Sequence, residues 1–429
     1  MPASAASRGP GNVLVVNAGS SSLKFTMYAM GKEKLLARGI VERIGLNEPF
    51  LKFERHDGTS FKEQAAVTNH EEALELVCAK LVDPDVGVLS SLMDVEAIGH
   101  RVVHGGENFH DSVIITGEVK TNIRECFGLA PLHNPPNLGG IEACERVFEG
   151  VPNVAVFDTA FHHSMPASSY LYAIPYEYYE KYGIRKYGFH GTSHKFVSYA
   201  VADMLGRPLA ELKLITAHLG NGASITAVER GNVLDTSMGM TPLNGLVMGT
   251  RCGDIDPAVV LYLARRGMTP DDIDKLLNKC SGLLGVSGIG SGDMRDNIAA
   301  AEAGNVQAQR AIRMFVQRLV SYIGSYFTLL DGADAVVFTG GIGENSAPIR
   351  EMVIRKLECL GCHLDPEKNN KTHGRPAIVS TPDSTLKAIV MPTNEELMIA
   401  RETSRLLTVP SKAIPTPHSY PPSSTCKPT

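Results

Sequence analysis

The sequence predicts an α/β protein made of one unit used twice, and three observations carry that prediction. Residues 13–26 read VLVVNAGSSSLKFT: an apolar strand, a turn of Asn, Gly and Ser, then a second strand-like run. Residues 212–228, LKLITAHLGNGASITAV, repeat the pattern two hundred residues later. Setting Gly19 on Gly220 places Asn17 over His218 and Ser20 over Asn221. Finally, a chain of 429 residues exceeds what one hydrophobic core usually supports, so each hairpin can open a domain of its own.

The first turn gathers small side chains, backbone N–H groups and hydroxyls beside Lys24, a combination suited to phosphate oxygens. Taken singly it would pass for an ordinary polar hairpin; its echo makes a nucleotide between two copies the better reading. Residues 39–61 alternate apolar runs with Gly, Pro and charge, as further antiparallel strands do. A helix follows over 71–82, with Ala73, Leu74, Val77 and Leu81 on one face. Residues 97–103 form a strand that runs into His-Gly-Gly and carries Arg101, whose planar fork matches a carboxylate.

The segment 129–137, LAPLHNPPN, reads as a Pro-rich loop before a helix over 138–148, with His133 either bracing the loop or lining a pocket. The strand 154–158 ends on Asp158, a position from which acids meet ligands or cap the next turn. In YGFHGTSH, His190 and His194 stand four apart, but no third metal ligand presents itself, and Thr192 or Ser193 is expected to cap the helix through Leu205. Residues 235–257 are long, polar and Gly-rich, with Arg251 between glycines. The best helical pattern runs over 305–330, and its apolar face belongs to a core or a dimer seam. The strand 335–338, a Gly-rich turn at 339–345 and a helix from Ala347 form the strand, turn and helix start that bind anions and nucleotides in α/β proteins; no GxxxxGK[ST] is present. A last strand over 388–391 leads to Thr393 or Asn394 as helix cap, and acids at 395 and 396 suit a helix start in any case.

Composition narrows the classes. A net charge of -5 gives no general attraction to nucleic acid or anionic membrane, so any anion is bound by placed groups. No apolar run reaches membrane-spanning length, and residues 1–11 lack the apolar core of a secretory signal. Eight scattered cysteines point to reduced thiols and a cytoplasmic protein. Cys359-Leu-Gly-Cys362-His363 spells a c-type haem attachment site, yet without an export signal Gly361 ending a helix is the better account. Cys426 holds a prenylation position, but Lys and Pro replace the aliphatic pair that should follow it.

Nine segments occur in order between residues 13 and 396: VLVVNAGSSSLKF, GHRVVHGGE, LAPLHNPPN, VAVFDTAFH, GFHGTSH, AHLGNGAS, GTRCGDIDP, FTGGIGEN and PTNEE. Together they resemble the acetate kinase family of the sugar kinase, Hsp70 and actin superfamily. The resemblance implies two ribonuclease-H-like (actin-like ATPase) domains facing across a cleft, at 13–159 plus 396–408 and at 160–395, with disordered tails at 1–12 and 409–429. It implies reversible phosphoryl transfer from ATP to acetate by a homodimeric enzyme, with Mg²⁺ or Mn²⁺ held by Asn17 and Glu395. Arg101 would bind the acetate carboxylate, with Val103, Leu132 and Pro242 around its methyl group. His190 and Arg251 would face the transferring phosphoryl group. Lys24, His218, Leu219, Gly220, Asn221, Gly222, Asp293, Met294, Arg295, Gly341, Ile342, Gly343, Glu344 and Asn345 would bind the nucleotide. Asp158 would be an active-site acid; because a carboxylic acid with pKa about 4–5 is already ionised at neutral pH, it is expected to orient Arg251 or a metal-bound water instead of acting as a base. A propionate or butyrate kinase would share nearly every motif. An Hsp70- or actin-like conformational protein is the alternative from another class.

Overall fold

The computed structural model describes residues 9–408. The 409–429 tail, the first eight residues of the 1–12 tail and the Cys426 motif lie outside the described residues. Gly11 and Asn12 already belong to the fold: the Gly11 amide donates to the Glu96 carboxylate, and Asn12 opens the first strand.

Eight strands make the first sheet: β1 (Asn12–Gly19), β2 (Ser22–Ala29), β3 (Lys34–Glu42), β4 (Phe50–Arg55), β5 (Ser60–Gln64), β6 (Ala97–Val102), β7 (Val113–Ile114) and β8 (Asn153–Phe157), in the order β5-β4-β3-β2-β1-β6-β8-β7. β1 to β5 form an antiparallel meander; β6 and β8 continue parallel to β1, and β7 closes the edge antiparallel to β8. The second sheet contains β9 (Lys213–Leu219), β10 (Ala223–Glu229), β11 (Asn232–Thr236), β12 (Ala335–Thr339), β13 (Ala377–Ile378) and β14 (Lys387–Val390), ordered β11-β10-β9-β12-β14-β13. Its pairing repeats that of the first sheet strand for strand, from the antiparallel hairpin to the antiparallel edge. The first sheet adds only β4 and β5. The unit inferred from two hairpins is thus present twice.

Apolar faces decide the layers. The helix His70–Leu81, capped by Asn69, buries the predicted Ala73, Leu74, Val77 and Leu81 against Phe25 and Phe53 of the first sheet. The helix Val306–Leu329, capped by Asn305, lays Ile312, Phe315, Leu319 and Ile323 on the second sheet. Its face is core. The last helix, Glu395–Thr408, leaves the second sheet and packs Ile399, Ala400 and Leu406 on Val13, Val15 and Val154 of the first. The Asn394 side chain accepts from the Leu397 amide, which makes it the cap of that helix.

Two local expectations are corrected. The LAPLHNPPN segment is not all loop: the helix Asn134–Val147 starts within it, because Pro135 and Pro136 occupy first-turn positions where no N–H is needed. Neither Thr192 nor Ser193 caps the helix Gly191–Leu205; both lie buried in its first turn, and His190 holds the cap position with a left-handed φ of 58°. Cys359 is exposed while Cys362 is buried, and both are free, so the C-x-x-C-H segment does not present paired thiols; Gly361 ends a short 3-10 turn at φ 80°. No helix among the described residues is long and apolar enough to cross a membrane.

Candidate active site

The C-terminal ends of the parallel strands carry the first half of the site. Arg101, at the end of β6, donates from Nε and Nη2 to both carboxylate oxygens of Asp158, which follows β8; the closest contact is 2.6 Å. Asp158 is 1% exposed. This corrects the expected partner: Asp158 orients Arg101 and not Arg251, because neighbouring parallel strands bring their ends together. Asn137 ties this end of the sheet to the first turn, accepting from the Val103 amide and donating to the Ala18 carbonyl. Asn134 does the same work for His104, accepting from its amide and donating to its carbonyl. The sequence reading missed both asparagines because it placed them in a loop.

Glu395 stands near this pair. Burial pushes its carboxyl up to about 7, opposed by the field of Arg101. Lys24 is also within its field but lines a separate groove with Thr26, Tyr28, Arg38 and Glu396. His133 is exposed; partial burial and then the field of Arg101 lower its pKa, and Arg251 adds to the effect, so it faces the site. Val103 is buried, whereas Leu132 is 63% exposed.

The second half is built from uncharged donors around one arginine. His190 stacks on His218 with ring centroids 4.3 Å apart, and its turn is pinned where the Gly191 amide donates to the Asp158 carbonyl. Arg251 donates from Nη1 to the Pro242 carbonyl at 2.7 Å and has no acidic partner among the described residues; burial lowers its pKa. Gly222 brings the two groups together. A Cβ at this position would lie 3.2 Å from Arg251 Nη2 and 3.5 Å from His190 Nε2, so the missing side chain keeps that approach open. Burial also holds the His218 ring near 4, and His190 well below its ordinary value.

A cavity of about 880 Å³ opens beside these residues. Gly220, Asn221, Asp293, Met294, Arg295, Gly341, Ile342 and Asn345, all predicted for the nucleotide, line it together with Thr250, Ile298 and Ser346. Gly340 must be glycine, since its φ is 72° and a Cβ would meet the Leu219 backbone. Six predicted residues sit elsewhere: Lys24 lines the separate groove, His218 stacks on His190, Leu219 and Gly343 are buried, Gly222 faces Arg251, and Glu344 folds back to accept from the amides of Gly340 and Thr393. Asp293 also caps the helix Met294–Glu302, which accounts for it without a ligand. Arg350 was missed altogether. It is fully buried, has no acid beside it, and donates to the carbonyls of Gly343, Glu344, Asn369 and Thr372 and to the Asn369 side chain.

Residues 12–401 match the acetokinase family. The chain belongs to that family. Acetate kinases of Natranaerobius thermophilus and Methanosarcina acetivorans are 52% and 53% identical over 92% of this chain and 99% and 96% of theirs. The acetate kinase of Porphyromonas gingivalis superposes with a TM-score of 0.89 at 44% identity, over 92% of this chain and all of that one. A propionate kinase from Francisella tularensis gives 0.86 at 43%, over 92% and 99%. Membership of the acetokinases makes the protein a kinase with a carboxyl acceptor on a two-domain, actin-like ATPase fold, and removes the Hsp70- or actin-like conformational reading.

For an acetokinase site, the oxygen donors expected to hold a divalent cation are Asn17 and Glu395. Among the described residues neither side chain takes part in a hydrogen bond, and a carboxylate that burial leaves without a donor suits a hard cation. No cluster of three or more His, Cys, Asp or Glu side chains stands ready for a metal among the described residues. Two protein oxygens completed by water and phosphate are the usual manner of magnesium.

Proposed function

We propose that this protein is an acetate kinase, transferring the γ-phosphoryl group of ATP directly to acetate to give acetyl phosphate and ADP, reversibly. The observation that carries the reading is the division of the site: a guanidinium locked by Asp158 on one side, Arg251 and His190 converging on Gly222 on the other. Arg101 holds the acetate carboxylate and aims it. Acetate is already an anion at neutral pH, so no base is needed, and Asp158 serves through Arg101. Phosphoryl transfer asks for alignment and charge neutralisation more than for covalent chemistry. Arg251 and His190 meet the charge on the moving group from one face, and Gly220, Asn221 and the Gly341–Asn345 turn hold the nucleotide. Asn17 and Glu395 hold Mg²⁺ or Mn²⁺, which when bound neutralises phosphate charge.

The Francisella propionate kinase favours one second reading, a longer acyl group. Val103 is buried and Pro242 half-buried, while Leu132 is exposed, so a methyl pocket walled by these three is open at the Leu132 end. One methylene changes discrimination by only ~1–3 kcal/mol. With Mg-ATP, a series of short carboxylates and hydroxylamine trapping, kcat/KM should favour acetate over propionate by less than about 200-fold. Equal or better turnover of butyrate would overturn the acetate assignment.

The enzyme acts as a homodimer in the cytoplasm. Supporting this, the helix Pro257–Arg265 buries none of its residues, and its Leu261 and Tyr262 are 56% and 55% exposed, as a face awaiting a second copy would be. The seven described cysteines are all free.

A further inference from the structure

Ser224 sits between two imidazoles. Its hydroxyl oxygen lies 2.9 Å from Nδ1 of His190 and 2.8 Å from Nε2 of His194, and Nδ1 of His194 lies 2.8 Å from Oγ1 of Thr216. Ser224, His194 and Thr216 are each 0% exposed. A hydroxyl has one proton to donate and each neutral ring one N–H. One arrangement satisfies every donor: Thr216 donates to His194 Nδ1, His194 Nε2–H donates to Ser224, and Ser224 donates to His190 Nδ1, so that His190 carries its proton on Nε2. Reversing every bond would leave the Thr216 hydroxyl proton without an acceptor among the described residues and make Nε2 of His190 a bare lone pair.

Nε2 is the ring nitrogen turned toward Gly222, where Arg251 Nη2 also arrives. A lone pair there would repel an anionic oxygen; an N–H would bind it. We propose that Ser224, His194 and Thr216 are positioning residues that hold His190 as the Nε2–H tautomer, so that an uncharged ring donates a hydrogen bond to the phosphoryl group in flight. The inference rests on the reading of His190 as the residue that faces that group.

The surroundings agree with an uncharged donor. His190 is packed by His218, His194, Arg101 and Arg251, and burial together with these neighbours holds its pKa well below the ordinary value. With two guanidiniums already present, a third positive charge would be costly, while a neutral N–H adds a directed bond without one. The ring has little freedom to choose another partner: its backbone is fixed at φ 58° and His218 covers one of its faces. The same arrangement explains a polar chain in a place where apolar residues would pack more simply. Its cost is accepted because it sets a proton.

The test uses full-length protein labelled with ¹⁵N-histidine and long-range ¹H–¹⁵N correlation, which separates protonated from bare ring nitrogens. Wild type should show His190 with bare Nδ1 and protonated Nε2, and His194 likewise. Ser224→Ala should lose the preference at His190 and lower kcat on the order of 10-fold, one hydrogen bond's worth, with the acetate KM held within about 2-fold. Ser224→Thr, which keeps the hydroxyl, should restore most of kcat. His190 protonated on Nδ1 in wild type would overturn the proposal even if Ser224→Ala fails to fold. So would wild-type kcat in Ser224→Ala when His190→Ala is inactive. Full kcat in His190→Ala would instead overturn the reading of His190 itself.

Discussion

The two sheets share a pairing scheme but not a chemistry. In the first half the strand ends present full charges, Arg101 against Asp158 with Glu395 nearby. In the second half the equivalent ends present His218 on β9, the short Gly-rich helix Gly340–Asn345 after β12, where a turn was expected, and the neutral histidines around Ser224, with Arg251 beside them. The contrast shows what repetition supplies. A repeated hairpin with parallel strands beside it guarantees that two sets of strand ends face one cleft; it does not decide what they hold. Residues at and just beyond those ends differ, and the proposed function gives one set the small anion to grip and the other the moving charge to receive.

The largest effect should come from removing what keeps the second half's nucleotide turn in shape. Arg350→Met strips five neutral acceptors of a buried donor, and each buried acceptor left unsatisfied costs about 1–3 kcal/mol, several kcal/mol in all. Urea unfolding should report a loss of that size together with a raised KM for ATP and an unchanged KM for acetate. Next is the first half. Asp158→Asn releases Arg101 from its two-point hold, and misalignment of about 1 Å is worth about 100-fold. The expected result is a fall of that order in kcat/KM for acetate with the pH–rate profile unmoved. An acidic limb present in wild type and absent from Asp158→Asn, with the variant's activity rescued by added formate or azide, would mean that Asp158 is a base after all.

A smaller effect distinguishes the halves by proton uptake. His104, packed on Tyr187 and Phe189 of the second half, and His162 beside His194 are both fully buried. Burial pulls the first down to about 4 and the second to about 3. Both folded values lie below the unfolded value near 6.5. Their neutral burial therefore contributes fully above about pH 6.5 and is lost as the pH falls toward 4, since the unfolded chain takes up protons first. By pH 5 the loss is about 2 kcal/mol for each ring. Thermal unfolding from pH 7 to 5 should show this slope, and His162→Gln should flatten it.

What the sequence made legible was whatever periodicity and turn chemistry encode. The hairpins, the helix Val306–Leu329 with its Asn305 cap and the glycine turns were readable because each is local. Asp158 and Arg101 were both recognisable, yet their pairing was not, because it depends on which strands lie side by side. Asn134 and Asn137 were hidden by prolines that open a helix as readily as they end one. Arg350 left no signal, since a buried arginine bonded to carbonyls has the sequence appearance of a surface cation on a helix. Lys24, expected at the nucleotide from its place after a phosphate-like turn, lines a groove with Tyr28, Arg38 and Glu396 and not the cavity beside Gly220 and Gly341.

The central claim is that the first half binds the carboxylate and the second half stabilises its phosphorylation. The most direct test compares Arg101→Lys with Arg251→Lys under saturating Mg-ATP across a range of acetate concentrations. Lysine keeps each charge but loses the planar fork. The division of labour predicts that Arg101→Lys raises the acetate KM on the order of 10-fold and leaves kcat within about 3-fold. Arg251→Lys should leave the acetate KM within about 3-fold and lower kcat on the order of 100-fold. The opposite assignment of KM and kcat effects, or two variants that lose only ATP affinity, would contradict it.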